Sequence, residues 1–192
     1  MRSTNKFLLN LFLVGLLMSP INLAQAKEQL FVPINNTWKA VQSKEGKGAK
    51  EFIPTAEQEQ NWSKRVTIKE MPGNKLSSDK YADEMQAEIE KSGQCTKFVT
   101  AEPIEKKGKG FEESVITFQC LQKDGSSKIF MSKSIESPLG LYEVRYSFVT
   151  DSKGMFNGKS LKNYLWEDVV EFMQLVTLCD DSVKDRACPL MK

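Results

Sequence analysis

Leu141-Tyr142-Glu143-Val144-Arg145-Tyr146-Ser147-Phe148-Val149-Thr150 alternates without a break, with Tyr142, Val144, Tyr146 and Phe148 on one side and Glu143, Arg145 and Ser147 on the other. A period of two marks a strand, because successive side chains of a pleated backbone point to opposite faces. The apolar side then requires a second layer to cover it.

Working back along the chain, Lys128 to Ile135 reads as another strand after an Asp124-Gly125 turn. Cys95 to Ile104 and Phe111 to Gln122 are two strand-like runs separated by the turn-rich Glu105-Lys106-Lys107-Gly108-Lys109-Gly110, the pattern of an antiparallel hairpin. Directly opposed hairpin residues have numbers of constant sum. Pairing Cys95 with Cys120 (sum 215) centres the turn between Lys107 and Gly108, so turn signal and cysteine pair agree on one register. Pro103 has no amide to donate and implies an edge position or a bulge.

Ser77 or Ser78 can cap a helix running to about Ser92, with Tyr81, Met85 and Ile89 on one face and Gly93 placed to stop it. Further back, Arg65 to Lys69 alternates as a strand and Pro72-Gly73-Asn74 ends it. Asn36 to Pro54 reads as two short strands around the flexible tip Ser43-Lys44-Glu45-Gly46-Lys47-Gly48. Beyond Thr150, Ser160 can cap a second helix carrying Leu161, Leu165, Val169, Phe172 and Val176 at spacings of three and four. Together these predict an α+β fold: a mainly antiparallel sheet of about five to seven strands packed with two main helices.

Residues 1–26 read as a cleavable export signal. Arg2 and Lys6 precede an apolar stretch from Phe7 to Met18, followed by Pro20 and the small-residue site Ala24-Gln25-Ala26. The 12-residue stretch is too short for a membrane-spanning helix, which needs about 20 apolar residues. Residues 27–192 are then a single exported domain, periplasmic or extracellular, without a transmembrane anchor. Cys95, Cys120, Cys179 and Cys188 all fall in it, and an even count in an exported chain favours two disulfides. Of three formal pairings, Cys95–Cys120 fits the hairpin and Cys179–Cys188 would fold back the tail.

Function is bounded mainly by exclusions. Without Arg2 and Lys6, 25 basic side chains face 25 acidic ones, which argues against a dominant nucleic-acid role. The chain has no histidine, which removes Ser-His-Asp and Cys-His nucleophile pairs and H-E-x-x-H zinc sites. No phosphate-loop or dinucleotide fingerprint occurs, and no catalytic residue, cofactor or metal site is expected. Glu167, Asp168 and Glu171 read as a solvated helix face. Asp180, Asp181 and Asp185 lack the glycine and terminal glutamate of an EF-hand loop.

Two lysine-rich tips, Lys44, Lys47 and Lys50 in one and Lys106, Lys107 and Lys109 in the other, make a candidate anion-binding rim, with soluble hairpin tips as the plainer reading. Trp38, Trp62 and Trp166 could line a groove, with core packing the default for at least two. The reading that results is a non-enzymatic binding module whose partner is an unknown protein or an envelope or host component. The alternative is a small secreted hydrolase using carboxylates or lysine. Host-membrane binding through the lysine tips, as a virulence-associated factor, is a third reading.

Glu51-Phe52-Ile53-Pro54, Asn61-Trp62-Ser63 and Val66-Thr67-Ile68 form a pattern that resembles small exported proteins of Gram-negative bacteria, some released through type II secretion. The strand-helix-strand layout also resembles Mog1/PsbP-like domains. That resemblance implies an α-β-α sandwich serving in binding or assembly, and it transfers no catalytic residue.

Overall fold

The computed structural model describes residues 28–43, 45–46, 48–93, 95–100, 104–108, 110–150, 164–181 and 183–189. The expected signal at 1–26 and the Ser160 cap lie outside them. In chain order the elements are β1 (Gln29–Phe31), β2 (Trp38–Val41), β3 (Ala49–Pro54), β4 (Lys64–Pro72), α1 (Ser78–Lys91), β5 (Lys97–Thr100), β6 (Ile104–Gly108), β7 (Phe111–Leu121), β8 (Ser127–Ser137), β9 (Gly140–Thr150), α2 (Tyr164–Leu175) and β10 (Thr177–Cys179).

β2 to β9 build one antiparallel sheet in the order β2-β3-β4-β9-β8-β7-β5, with β6 extending the β5 edge along β7. β1 and β10 form a separate two-stranded pair. The expected α+β architecture, two helices on an antiparallel sheet with two disulfides, is therefore what the chain adopts. Cys95–Cys120 and Cys179–Cys188 are both bonded, with Cα–Cα distances of 5.1 and 4.9 Å.

The hairpin register differs from the expected one. Cys120 lies opposite Phe98, not Cys95, so the pair sum is 218. Along β6 it becomes 219, Ile104 facing Val115, which moves the turn beyond Gly108. Cys95 precedes β5 and reaches Cys120 from outside the ladder, so the bond does not require direct opposition. The register therefore differs by one between β5 and β6, both of which pair with β7 at the sheet edge, and Pro103 lies outside the described residues.

Among the described residues each sheet face carries one α-helix. On one, Val66, Ile68, Ile129, Met131, Val144, Tyr146 and Phe148 pack under Val169, Met173 and Val176 of the α2 segment, and Leu178 of β10 closes the same core. Trp38 joins it edge-on to Tyr146, with ring centroids 5.8 Å apart. Lys133 lies within this face but is satisfied: its Nζ lies 2.8 Å from Glu113 and donates to the Val176 carbonyl at 2.7 Å, just past the end of α2.

On the other face α1 covers only the β7–β8 half, where Ala82 and Met85 meet Ile116, Phe118 and Phe130. Ser77 occupies the cap position of α1, yet its side chain caps nothing. The acceptor is Glu136 of β8, which takes the Ser78 amide at 2.6 Å and so docks the positive end of the helix onto the sheet. Gly93, at φ +63°, stops the helix where expected.

The β8–β9 hairpin turns through Pro138-Leu139, closed by Ser137 opposite Gly140. Gly140 also faces Pro72, and a Cβ there would collide with the Met71 carbonyl oxygen. Only glycine lets β4 approach this turn.

Candidate functional site

The half of the sheet that α1 leaves uncovered carries the polar sides of β3, β4 and β9. Alternation put Glu143, Arg145 and Ser147 on that side, but they are not solvated: Glu143 is 0% and Arg145 8% exposed. Charges survive burial only when paired and hydrogen-bonded, and the strand register supplies the partners. Thr67 lies beside Arg145, Lys69 beside Glu143, and Ser132 across from Arg145.

Glu143 is the centre of this network. Its Oε1 accepts from Ser132 Oγ at 2.9 Å and from Arg145 Nε at 2.9 Å, and its Oε2 accepts from the Tyr81 hydroxyl of α1 at 2.7 Å. Arg145 reaches onward to Glu45 at 2.8 Å, and Lys69 meets the same carboxylate at 2.6 Å. Glu45 comes from the β2–β3 tip, so the loop is strapped across the sheet by two cations. Burial pushes the Glu45 carboxyl up, but Arg145 and Lys69 outweigh it and hold the group below its ordinary 4.5. The Tyr81 phenol is raised, by burial first and by Glu143 second. A second pair, Arg65 with Glu51 at 2.9 Å, lies alongside on β4 and β3.

A cleft of about 260 Å³ opens between this network and α1. Glu45, Lys69, Lys128 and Arg145 line the charged side. Met85, Ile89, Phe130 and the Cys95–Cys120 bridge line the apolar side, with Glu88 and Ser92 exposed on the helix. Of the four cations in the network, Arg65, Lys69 and Arg145 have carboxylate partners. Lys128 is different. Among the described residues no carboxylate forms an ion pair with it; its ammonium sits 5.0 Å from the Trp62 ring centre and 4.8 Å from that of Phe130. Burial first, then Arg65 and Arg145, bring its pKa down from 10.5 to about 8. Arg65 stacks on Trp62 as well, at 4.4 Å, and its buried Nε has no hydrogen-bond partner among the described residues.

Of the lysine tips only part falls within the described residues. Lys44, Lys47 and Lys109 lie outside the described residues, and of Lys106 and Lys107 only the backbone in β6 is described. Lys50 pairs with Glu70 at 3.0 Å. Its strand β3 and the strand β6 lie near opposite edges of the sheet, separated by β4, β9, β8 and β7.

Glu167, Asp168 and Glu171 are exposed on α2 as expected. Asp181 accepts the Cys188 amide at 3.0 Å, a structural role. No acid cluster among the described residues has the geometry of a metal site. No described helix is long and apolar enough to cross a membrane.

Sequence reading had singled out Trp62 but missed Lys128, Arg65 and the Glu143 network. A lysine heading an otherwise apolar strand, Lys128-Ile129-Phe130-Met131, was the available signal.

No protein-family model matches the chain, and no curated protein does. Among solved structures it is similar to the cyanobacterial PsbP protein (CyanoP) of Synechocystis sp. PCC 6803. Identity is 14%, the match covers 82% of this chain and 97% of that one, and the TM-score is 0.47. It is also similar to PA94 of Pseudomonas aeruginosa, a protein of unknown function, at 12% identity over 70% of this chain and 94% of that one, with a TM-score of 0.36.

Proposed function

We propose that this chain is an exported, non-enzymatic binding protein whose ligand is a compact organic anion with an apolar body, held in the cleft between α1 and the charged half of the sheet. The observation that carries the reading is Lys128, a largely desolvated cation that lines an open cleft and, among the described residues, has aromatic rings in place of a carboxylate partner. A ligand carboxylate would supply the missing counter-charge, and its apolar body would lie against Phe130, Met85 and Ile89. Two disulfides fit an oxidising compartment, which supports export and a cleaved segment 1–26 ahead of a domain at 27–192.

The test is an amide-shift titration of the domain with 4-methylbenzoate and with its neutral amide. The acid should bind at least ten times more tightly and shift Phe130, Cys120 and Ile89, and Lys128→Gln should remove that preference. Equal affinity for acid and amide, or shifts confined to another surface, would overturn the assignment.

A further inference from the structure

Lys128 has a chemical capacity beyond charge pairing. We infer that its ε-amine captures small carbonyl acids in the cleft as a Schiff base, which narrows the ligand class proposed above and rests on the cleft being the binding site. Three features of the structure converge on this. Lys128 lines the open cleft, where a small ligand can approach it. It is flanked by Trp62 and Phe130, and among the described residues no carboxylate pairs with it to hold it as an ammonium. Two guanidinium groups, Arg65 and Arg145, disfavour its charged form, against the weaker opposing pull of Glu45 and Glu51. Desolvation next to other cations is how a lysine becomes a nucleophile near neutral pH.

The contrast with Lys133 is direct. That lysine is more buried, yet Glu113 and the Val176 carbonyl hold its ammonium, and it lies on the opposite face under α2. Burial alone therefore does not mark a reactive amine; burial beside an open cleft, with no counter-ion among the described residues, does.

The step balances with no further reactant. The neutral amine attacks the carbonyl carbon and forms a C–N bond, both amine protons pass to the carbonyl oxygen, and that oxygen departs as water to leave the imine. Protonation of the imine restores the positive charge that the ammonium carried.

The probe is 4-carboxybenzaldehyde with sodium cyanoborohydride, which fixes any imine as a secondary amine, followed by peptide mapping of the wild-type domain. At pH 8 and limiting probe, Lys128 should label at least tenfold faster than the exposed Lys50 and Lys80, with Lys133 unlabelled. Excess 4-methylbenzoate should protect it. Labelling of Lys128 should rise with pH and level off above about 8. Labelling spread over lysines in proportion to exposure would overturn the inference. If 4-methylbenzoate still shifts Phe130 in that case, only the covalent step has failed; if it does not, the binding reading fails as well.

Discussion

Arg145→Met is the sharpest probe of the buried network. The substitution keeps most of the apolar stem but removes the donors that bind Glu143 and Glu45 at 2.8 to 2.9 Å. Glu143 would remain fully buried, facing the neutral donors Tyr81 and Ser132 and a lysine 3.9 Å away. Removing one partner of a buried pair typically costs about 3–5 kcal/mol, because the other charge is left without compensation. Against a usual domain stability of about 5–15 kcal/mol, that is roughly a fifth or more of the total. Urea unfolding at pH 7 measures it directly, provided the slope with denaturant is unchanged. Adding Glu143→Gln should recover most of the loss, since the stranded charge is gone. A single-variant loss below about 1 kcal/mol, or a double variant no better than the single, would refute the account of a charge-compensated interior.

Four further perturbations separate the parts. Lys128→Met should stabilise the domain at pH 7 by up to ~3 kcal/mol, the equivalent of a pKa drop from 10.5 to about 8, less what the two cation–π contacts return. Because the unfolded chain binds more protons than the native state between those values, wild-type stability should rise as pH climbs from about 8 towards 10, and the variant should lose that rise. Readings stop there because the raised phenols of Tyr81 and Tyr146 act with the opposite sign at higher pH. Glu45→Gln should weaken the domain at pH 7 but match wild type once pH falls well below 4.5, where the depressed carboxyl loses its charge, as acid titration of unfolding would show. Glu136→Ala should cost about 0.5–2 kcal/mol in thermal unfolding by uncapping α1. Gly140→Ala should cost about 2 kcal/mol or more, because the obstructing atom belongs to the Met71 backbone and cannot rotate away.

The period-two run in β9 was enough to assign its faces and, with the α-helical stripes, the layers. What it could not convey is that both faces are buried. Alternation separates two faces without saying what covers the polar one, and the partners of Glu143 and Arg145 are set by register and by a loop residue 100 positions away. The cysteine pairing was legible from spacing. The register derived from it was not, because Cys95 joins Cys120 from outside the ladder. β1 and β10 went unseen because three residues carry no measurable period. Lys128 was hidden for a different reason: its place at the head of an apolar run is only a weak local signal, and its character comes from Trp62, Arg65 and Arg145 elsewhere in the chain.

The β1–β10 pair joins Gln29 to Cys179 across 150 residues. Closing a loop of that length through only three residue pairs returns little for the chain entropy it costs until the sheet between them exists. The pair should therefore form late, after the β7–β8–β9 meander. In a refolding experiment pulsed with deuterium, the amide of Leu30 should acquire protection after those of Phe130 and Val144. The short pair would thus act as a latch that records when folding is complete, and it is the place where partial unfolding should begin.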